Sequence, residues 1–184
     1  ILLVAACAVL LVEPFLKEDR TAVVAIALAA LVASAGVALG LSGQERVSFA
    51  GMLVLNDWAV FFKVLFAVAA ALTIMMSGRY LEAGKRHLGE YYALVLFAVL
   101  GMDLMAASRD LIAFYVALEL MAISSYLLAA FFRYQVRSNE SALKYFLTGT
   151  FASAVMLYGI SLVYGLTGTT SYAAVARAIG GGGG

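Results

Sequence analysis

Charge is what this sequence has least of. Only 12% of its 184 residues are Asp, Glu, Lys or Arg and 65% are hydrophobic, where a water-soluble domain carries about a quarter charged and roughly 45–50% apolar residues. A chain so short of polar side chains cannot clothe a water-facing surface, and lipid is the solvent that accepts it. Basic residues form no stripe and the net charge is +1, which excludes nucleic acid as a partner. Cys7 is the single cysteine and His87 the single histidine. An internal disulfide and any metal-ligand spacing are thereby excluded, and Cys7 reads as a small packing or lipid-facing residue. A Gly-rich phosphate loop, a catalytic triad and a cysteine cluster are also missing, so nothing in the chain holds a flavin, an iron–sulfur cluster or a nicotinamide.

What is present is apolar sequence in long runs. A spanning helix needs about 20 mostly apolar residues, and six segments approach or meet that: 1–16, 21–41, 58–77, 91–107, 111–132 and 141–164. The expected fold is all-α, a polytopic transmembrane bundle, because backbone groups in lipid must be satisfied within each segment and the alternation of a membrane barrel is absent. The chain begins inside an apolar run at Ile1 and closes on Gly180 to Gly184. It reads as a piece of a longer protein, with the glycine tail outside the fold. Glu13-Pro14-Phe15 follows the first run where a signal peptide would carry small residues.

The connections are short and polar. Lys17-Glu18-Asp19-Arg20, 78–90, 107–110 and 132–140 join consecutive spans. The longer stretch 42–57 holds Val47, Phe49, Gly51, Leu53 and Leu55 in rough alternation, which predicts a short hairpin on the bilayer surface. Lys17, Arg20, Arg79, Lys85, Arg86, Arg133 and Arg137 fall in the first, third and fifth connections, against Arg46, Arg109 and Arg177 on the other side. The positive-inside rule then sets the start of the chain outside and the basic loops in the cytoplasm. Trp58, Tyr80, Tyr91, Tyr92, Tyr134 and Tyr164 lie near span ends and are expected to form an interfacial aromatic belt.

Ionisable residues within spans are the functional candidates. Glu119 lies nine residues past Asp110 in the fifth span, ~13 Å deep at ~1.5 Å per residue and close to the middle of a ~30 Å core. It is too short to reach the interface, and an acid there costs roughly 2.5–3.5 kcal/mol on insertion. Such a group exchanges a proton when a neighbouring charge approaches or withdraws; the plainer role is a hydrogen bond that pins helix packing. Tyr115 and Tyr126 share its face at i−4 and i+7. Lys144 enters the sixth span with Glu140 at i−4, a favourable order for a helical ion pair, and with Thr148 on its face; its long stem also permits snorkelling to the interface. Lys63 reads as a snorkelling lysine near the start of the third span. Asp103 reads as the partner of Arg109 at the outer interface, and His87 as solvated. Gly149 and Ser153 make a small-xxx-small step, and Ser124-Ser125 sits in the fifth span, both signs of close helix approach.

Two stretches carry a resemblance. Leu118-Glu119-Leu120-Met121 with Ser124, Ser125 and Tyr126 resembles the fifth-span motif of the antiporter-like subunits of respiratory complex I. The run from Glu140 through Lys144 to Gly149, continuing to Leu157-Tyr158-Gly159, Tyr164-Gly165 and Thr167-Gly168, is similar to subunit N (subunit 2 in mitochondria) of the proton-translocating NADH:quinone oxidoreductases; the likeness extends over about 57–172. It implies an antiporter-like fold of about fourteen spans with inverted repeats, of which this chain would be the N-terminal part. It implies a subunit that moves protons while other subunits of the complex hold NADH, FMN, iron–sulfur clusters and quinone. Related antiporter-like subunits and the lipid bilayer would be its partners, in a bacterial inner membrane or its equivalent. Glu119 and Lys144 match charged positions of the family's proton path, with water linking them, and Tyr115, Tyr126, Thr148, Asp103 and Lys63 are candidates for polar support. The lysine expected to pair with Glu119 would lie beyond residue 184. Asp103 departs from the family pattern, which is apolar there. Two other readings stand beside this one: a subunit of a multi-chain cation/proton antiporter, and a helical scaffold that only supports assembly.

Overall fold

The computed structural model describes residues 1–12, 20–82, 88–132 and 134–181. Expectations placed on Glu13 to Asp19, on Lys85, Arg86 and His87, on Arg133 and on the last three glycines fall outside these residues.

Seven helices account for most of the described chain: α1 Leu2–Val12, α2 Arg20–Gly40, α3 Asp57–Glu82, α4 Leu88–Ala107, α5 Leu111–Ala129, α6 Val136–Thr167 and α7 Tyr172–Gly180. Five of them, α2 to α6, are long and apolar enough to cross a membrane. The first of the six expected segments appears as an 11-residue helix among the described residues. The spans otherwise run where the apolar sequence puts them, with α6 longer at both ends than the apolar run. It begins at Val136 and closes on Gly168, whose φ of 69° supplies the left-handed cap that ends many helices. Helix α7 follows the sixth expected span and takes Gly180, the first residue of the expected glycine tail, as its last.

The stretch between α2 and α3 is the expected hairpin. Strands β1 Arg46–Ser48 and β2 Leu53–Leu55 pair antiparallel, with Val47 opposite Val54. Its turn passes through Phe49 and Ala50 at φ 52° and 53°, a left-handed conformation uncommon for residues with a side chain. Asp57 fastens the turn that leaves α2 to the start of α3, its Oδ1 accepting from the Gly43 N–H at 2.8 Å and from Ser42 Oγ at 3.2 Å.

Helix α4 is the hub. Its apolar residues Ala93, Leu96 and Val99 join Leu2, Ala6 and Val9 of α1, Val23, Ala27 and Leu31 of α2, and Ala67, Ala70 and Ile74 of α3 in one buried cluster. On its other side α4 packs along α5, and Gly101 makes that approach possible. A Cβ on Gly101 would stand 2.7 Å from the Met121 nitrogen and 2.8 Å from the Ala117 oxygen. Tyr92, expected at the aromatic belt, is instead wholly buried in this core, whereas Trp58, Tyr134 and Tyr164 are exposed. Helix α6 touches the rest along one stripe, Ala142, Gly149, Ser153 and Ile160, and its remaining surface stays open.

One end of the bundle is stitched together. The Arg109 N–H donates to the Met52 carbonyl at 2.8 Å, the Leu111 N–H to the Thr170 carbonyl at 2.9 Å, and the Tyr172 N–H to the Arg109 carbonyl at 3.0 Å. The hairpin, the α4–α5 turn and the α6–α7 segment therefore meet at one end of the bundle.

Candidate intramembrane charge sites

Glu119 lies midway along α5 on the stripe Tyr115, Glu119, Ala122, Tyr126, whose 4-3-4 spacing marks one helix face. That face meets α6. Ser153 of α6 donates to the Glu119 carboxylate, and its Oγ also stands 3.1 Å from the Tyr115 hydroxyl. Two hydroxyls and one carboxyl thus converge between two helices that are otherwise apolar at this level. Ser153 is buried and Glu119 half-buried. Tyr126, expected beside Glu119, serves the same interface further along. Its ring lies edge-on to Tyr145 and Phe146, with centroids 4.9 and 5.6 Å away. It fills the notch left by Gly149, where a Cβ would come within 2.7 Å of the ring. Gly149 is thus the packing residue its spacing suggested, while Ser153 is a partner of the acid that sequence reading did not assign. The sign of it was there, since 153 falls on the same stripe as 142 and 149. Ser124 and Ser125 turn back to the carbonyls of Leu120 and Met121 at 2.7 and 2.9 Å.

Lys144 is not brought to this group. It lies nine residues before Ser153, about half a turn around α6 at ~3.6 residues per turn, so its side chain leaves from the opposite face. Its ammonium donates to Glu140 at 2.6 Å, and both side chains are more than half exposed. The i,i+4 pair read from sequence is present, and Thr148 is exposed on the same side.

The other charges pair differently from the sequence reading. Asp103 does not meet Arg109; Arg109 reaches across to Glu45 of the hairpin approach. Asp103 faces α3 and meets Lys63, Nζ to Oδ2 at 3.5 Å, with side-chain exposures of 22% and 3%. The lysine read as snorkelling is therefore tied to a buried acid. The physical reason is depth. Lys63 is six residues past Asp57, ~9 Å from the hairpin end of α3, and Asp103 four residues before Ala107, ~6 Å from that end of α4, so the two antiparallel helices carry them to one level.

Sequence places Asp110 only in the connection between the fourth and fifth spans. It is buried, and its Oδ1 caps α5 by accepting from the Ile112 and Ala113 N–H groups at 2.9 and 3.2 Å. Its Oδ2 accepts from Thr170 Oγ1 at 2.6 Å. Cys7 is free and exposed on α1.

Residues 108–182, which hold α5, Glu119 and α6, match the family described as NADH:quinone oxidoreductase/Mrp antiporter, transmembrane. NADH-quinone oxidoreductase subunit N 2 of Rhizobium meliloti is 44% identical over 183 residues, 99% of this chain and 38% of the relative. Subunit N of Sphingopyxis alaskensis is 46% identical over 155 residues, 84% of this chain and 32% of the relative. This chain belongs to the antiporter-like membrane subunits. It spans well under half the length of these subunit N relatives. Among solved structures, a chain of respiratory complex I from Thermus thermophilus superposes with a TM-score of 0.75 at 28% identity, over 97% of this chain and 42% of that one. A chain of an archaeal membrane-bound sulfane sulfur reductase shares the fold of this antiporter-like subunit, with a TM-score of 0.81 at 23% identity.

Proposed function

We propose that this chain is part of a proton-translocating membrane subunit of a redox-driven NADH:quinone oxidoreductase, and that it supplies an intramembrane acid–base path and no redox cofactor. The observation that carries this reading is Glu119, held between α5 and α6 by Ser153 with Tyr115 alongside. An acid in lipid is expensive and persists where it has work to do. A carboxyl bonded to a hydroxyl chain accepts a proton on one side and passes it on when the field around it changes. A lysine from a neighbouring span is the natural source of that change, and in this reading it belongs to a part of the subunit beyond residue 184.

Lys144 is a second station in this reading. It stands on the open face of α6, two turns inside the helix, where Glu140 holds it in one orientation. Water would connect it to Glu119 around α6 rather than by direct contact. NADH, FMN, iron–sulfur clusters and quinone belong to other subunits, and related antiporter-like subunits are the membrane partners. The membrane is the bacterial inner membrane or its equivalent, with the hairpin side outside.

The test is Glu119→Gln in the full-length subunit within the assembled complex. Protons moved per NADH oxidised should fall severalfold while the complex still assembles. Unchanged pumping and unchanged quinone-coupled turnover would sink the proposal. The matched family also embraces Mrp antiporters. That second reading predicts cation/proton exchange in vesicles driven by a pH gradient without NADH, and its abolition by Glu119→Gln.

A further inference from the structure

The Lys63–Asp103 pair lies on the far side of α4 from the Glu119 site. Gly101 faces α5, and Asp103, two residues on, is turned about 200° away toward α3. The pair is unlike a structural clamp in two respects. A tight ammonium–carboxylate bond spans about 2.7–2.9 Å, whereas Nζ and Oδ2 are 3.5 Å apart. The second oxygen, Oδ1, is buried and has no hydrogen-bond partner among the described residues. A buried polar atom left unbonded is destabilising, and a clamp selected for stability would close that deficit. The lysine end is not sealed, since Lys63 keeps 22% of its side chain exposed against 3% for Asp103. The site is thus a buried acid with a free oxygen, fronted by a partly exposed cation, within about two turns of the hairpin end of the bundle.

From this geometry we infer that Asp103 and Lys63 form a second proton-exchange station, opening to the membrane side that carries the β-hairpin. The inference rests on the proton-translocating reading above. The step balances simply. A hydronium on the hairpin side gives its proton to Asp103 Oδ1, an O–H bond forms there, and water remains. The neutral acid then no longer holds the ammonium, and Lys63 extends toward the interface, which its stem length permits. Loss of the proton to water restores the carboxylate and draws Lys63 back.

The pair is tested by removing both charges together. Replacing a buried ion pair by apolar residues of similar volume is often neutral or stabilising, so Lys63→Met with Asp103→Leu should assemble in the full-length complex. A clamp predicts that this variant pumps at the parental ratio. A proton station predicts fewer protons moved per NADH oxidised. Asp103→Glu, which keeps the acid, should retain pumping. Redox-induced infrared difference spectra should carry a deuterium-sensitive protonated-carboxyl band that Asp103→Asn removes. Parental pumping in the apolar double variant, together with an unaltered carboxyl band in Asp103→Asn, overturns the inference. If Glu119→Gln lowers pumping while the apolar double variant does not, the second station alone is lost. If Glu119→Gln also has no effect, the underlying reading fails first.

Discussion

At the scale of single residues, three acids in similar surroundings do three different jobs because of what stands opposite them. Glu119 meets hydroxyls, Asp103 meets an ammonium, and Asp110 meets backbone N–H groups and a threonine. Only Asp110 has both oxygens engaged in strong bonds, and it is the one that reads as purely structural. Asp110→Ala should therefore cost about 0.5–2 kcal/mol for the lost cap, and somewhat more with the Thr170 bond gone. Thr170→Val, which removes that bond alone, should cost about 1 kcal/mol. Thermal denaturation of the purified full-length subunit in detergent measures both, and equal midpoints for Asp110→Ala and the parent would contradict the assignment. Sequence pattern isolated Glu119 readily, because depth in an apolar run is a one-dimensional property. Ser153, Lys63 and Asp103 were each visible as residues, yet their pairings were not. Opposing helices meet at heights that depend on where each begins, and Lys63 and Asp103 lie 40 positions apart.

At the scale of elements, the bundle holds its helices close with small residues rather than with apolar patterning. Helices in lipid gain nothing from hiding apolar surface from water, so packing falls to close backbone approach. Gly101 and Gly149 sit at two such contacts, and they differ in what blocks a larger residue. Gly101 faces backbone atoms of α5, while Gly149 faces the Tyr126 ring. A ring can swing aside, whereas a helix backbone cannot. Gly101→Ala should lower stability by about 1–3 kcal/mol, the usual cost of overpacking, and Gly149→Ala by less. The order of the two thermal midpoints checks this, and a larger loss at Gly149 would show that Tyr126 is the rigid partner. The hairpin and the five long helices were legible in the sequence because alternation and unbroken apolar length are local. Helix α7 was not, as its nine residues lie next to a glycine run that masks them.

At the scale of the whole molecule, the described helices make an asymmetric body. Helices α1 to α4 form a closed core around α4, α5 flanks it, and α6 stands at the edge with most of its surface open. Glu119 sits at the boundary between the closed and open parts, and Lys63 with Asp103 within the closed part. The hairpin, the α4–α5 turn and the α6–α7 segment lie at one end. The orientation proposed above, which follows the positive-inside rule, turns the hairpin end outward. Ser48→Cys, in the exposed strand β1 and in a Cys7→Ala background, should react with a membrane-impermeant maleimide added to intact cells. Labelling confined to inverted vesicles would reverse the orientation.

By itself the sequence determined that this chain lives in lipid, that it does so as helices, and that Glu119 is an acid far from either interface. Each follows from composition, length and position along the chain, which need no knowledge of neighbours. Only the tertiary structure decided that Ser153 holds Glu119, that Lys144 leaves the far face of the same helix, and that Asp103 answers to Lys63 rather than to Arg109. Charge partners in a membrane are chosen by the relative height and rotation of whole helices, and those quantities come into being only when the helices pack.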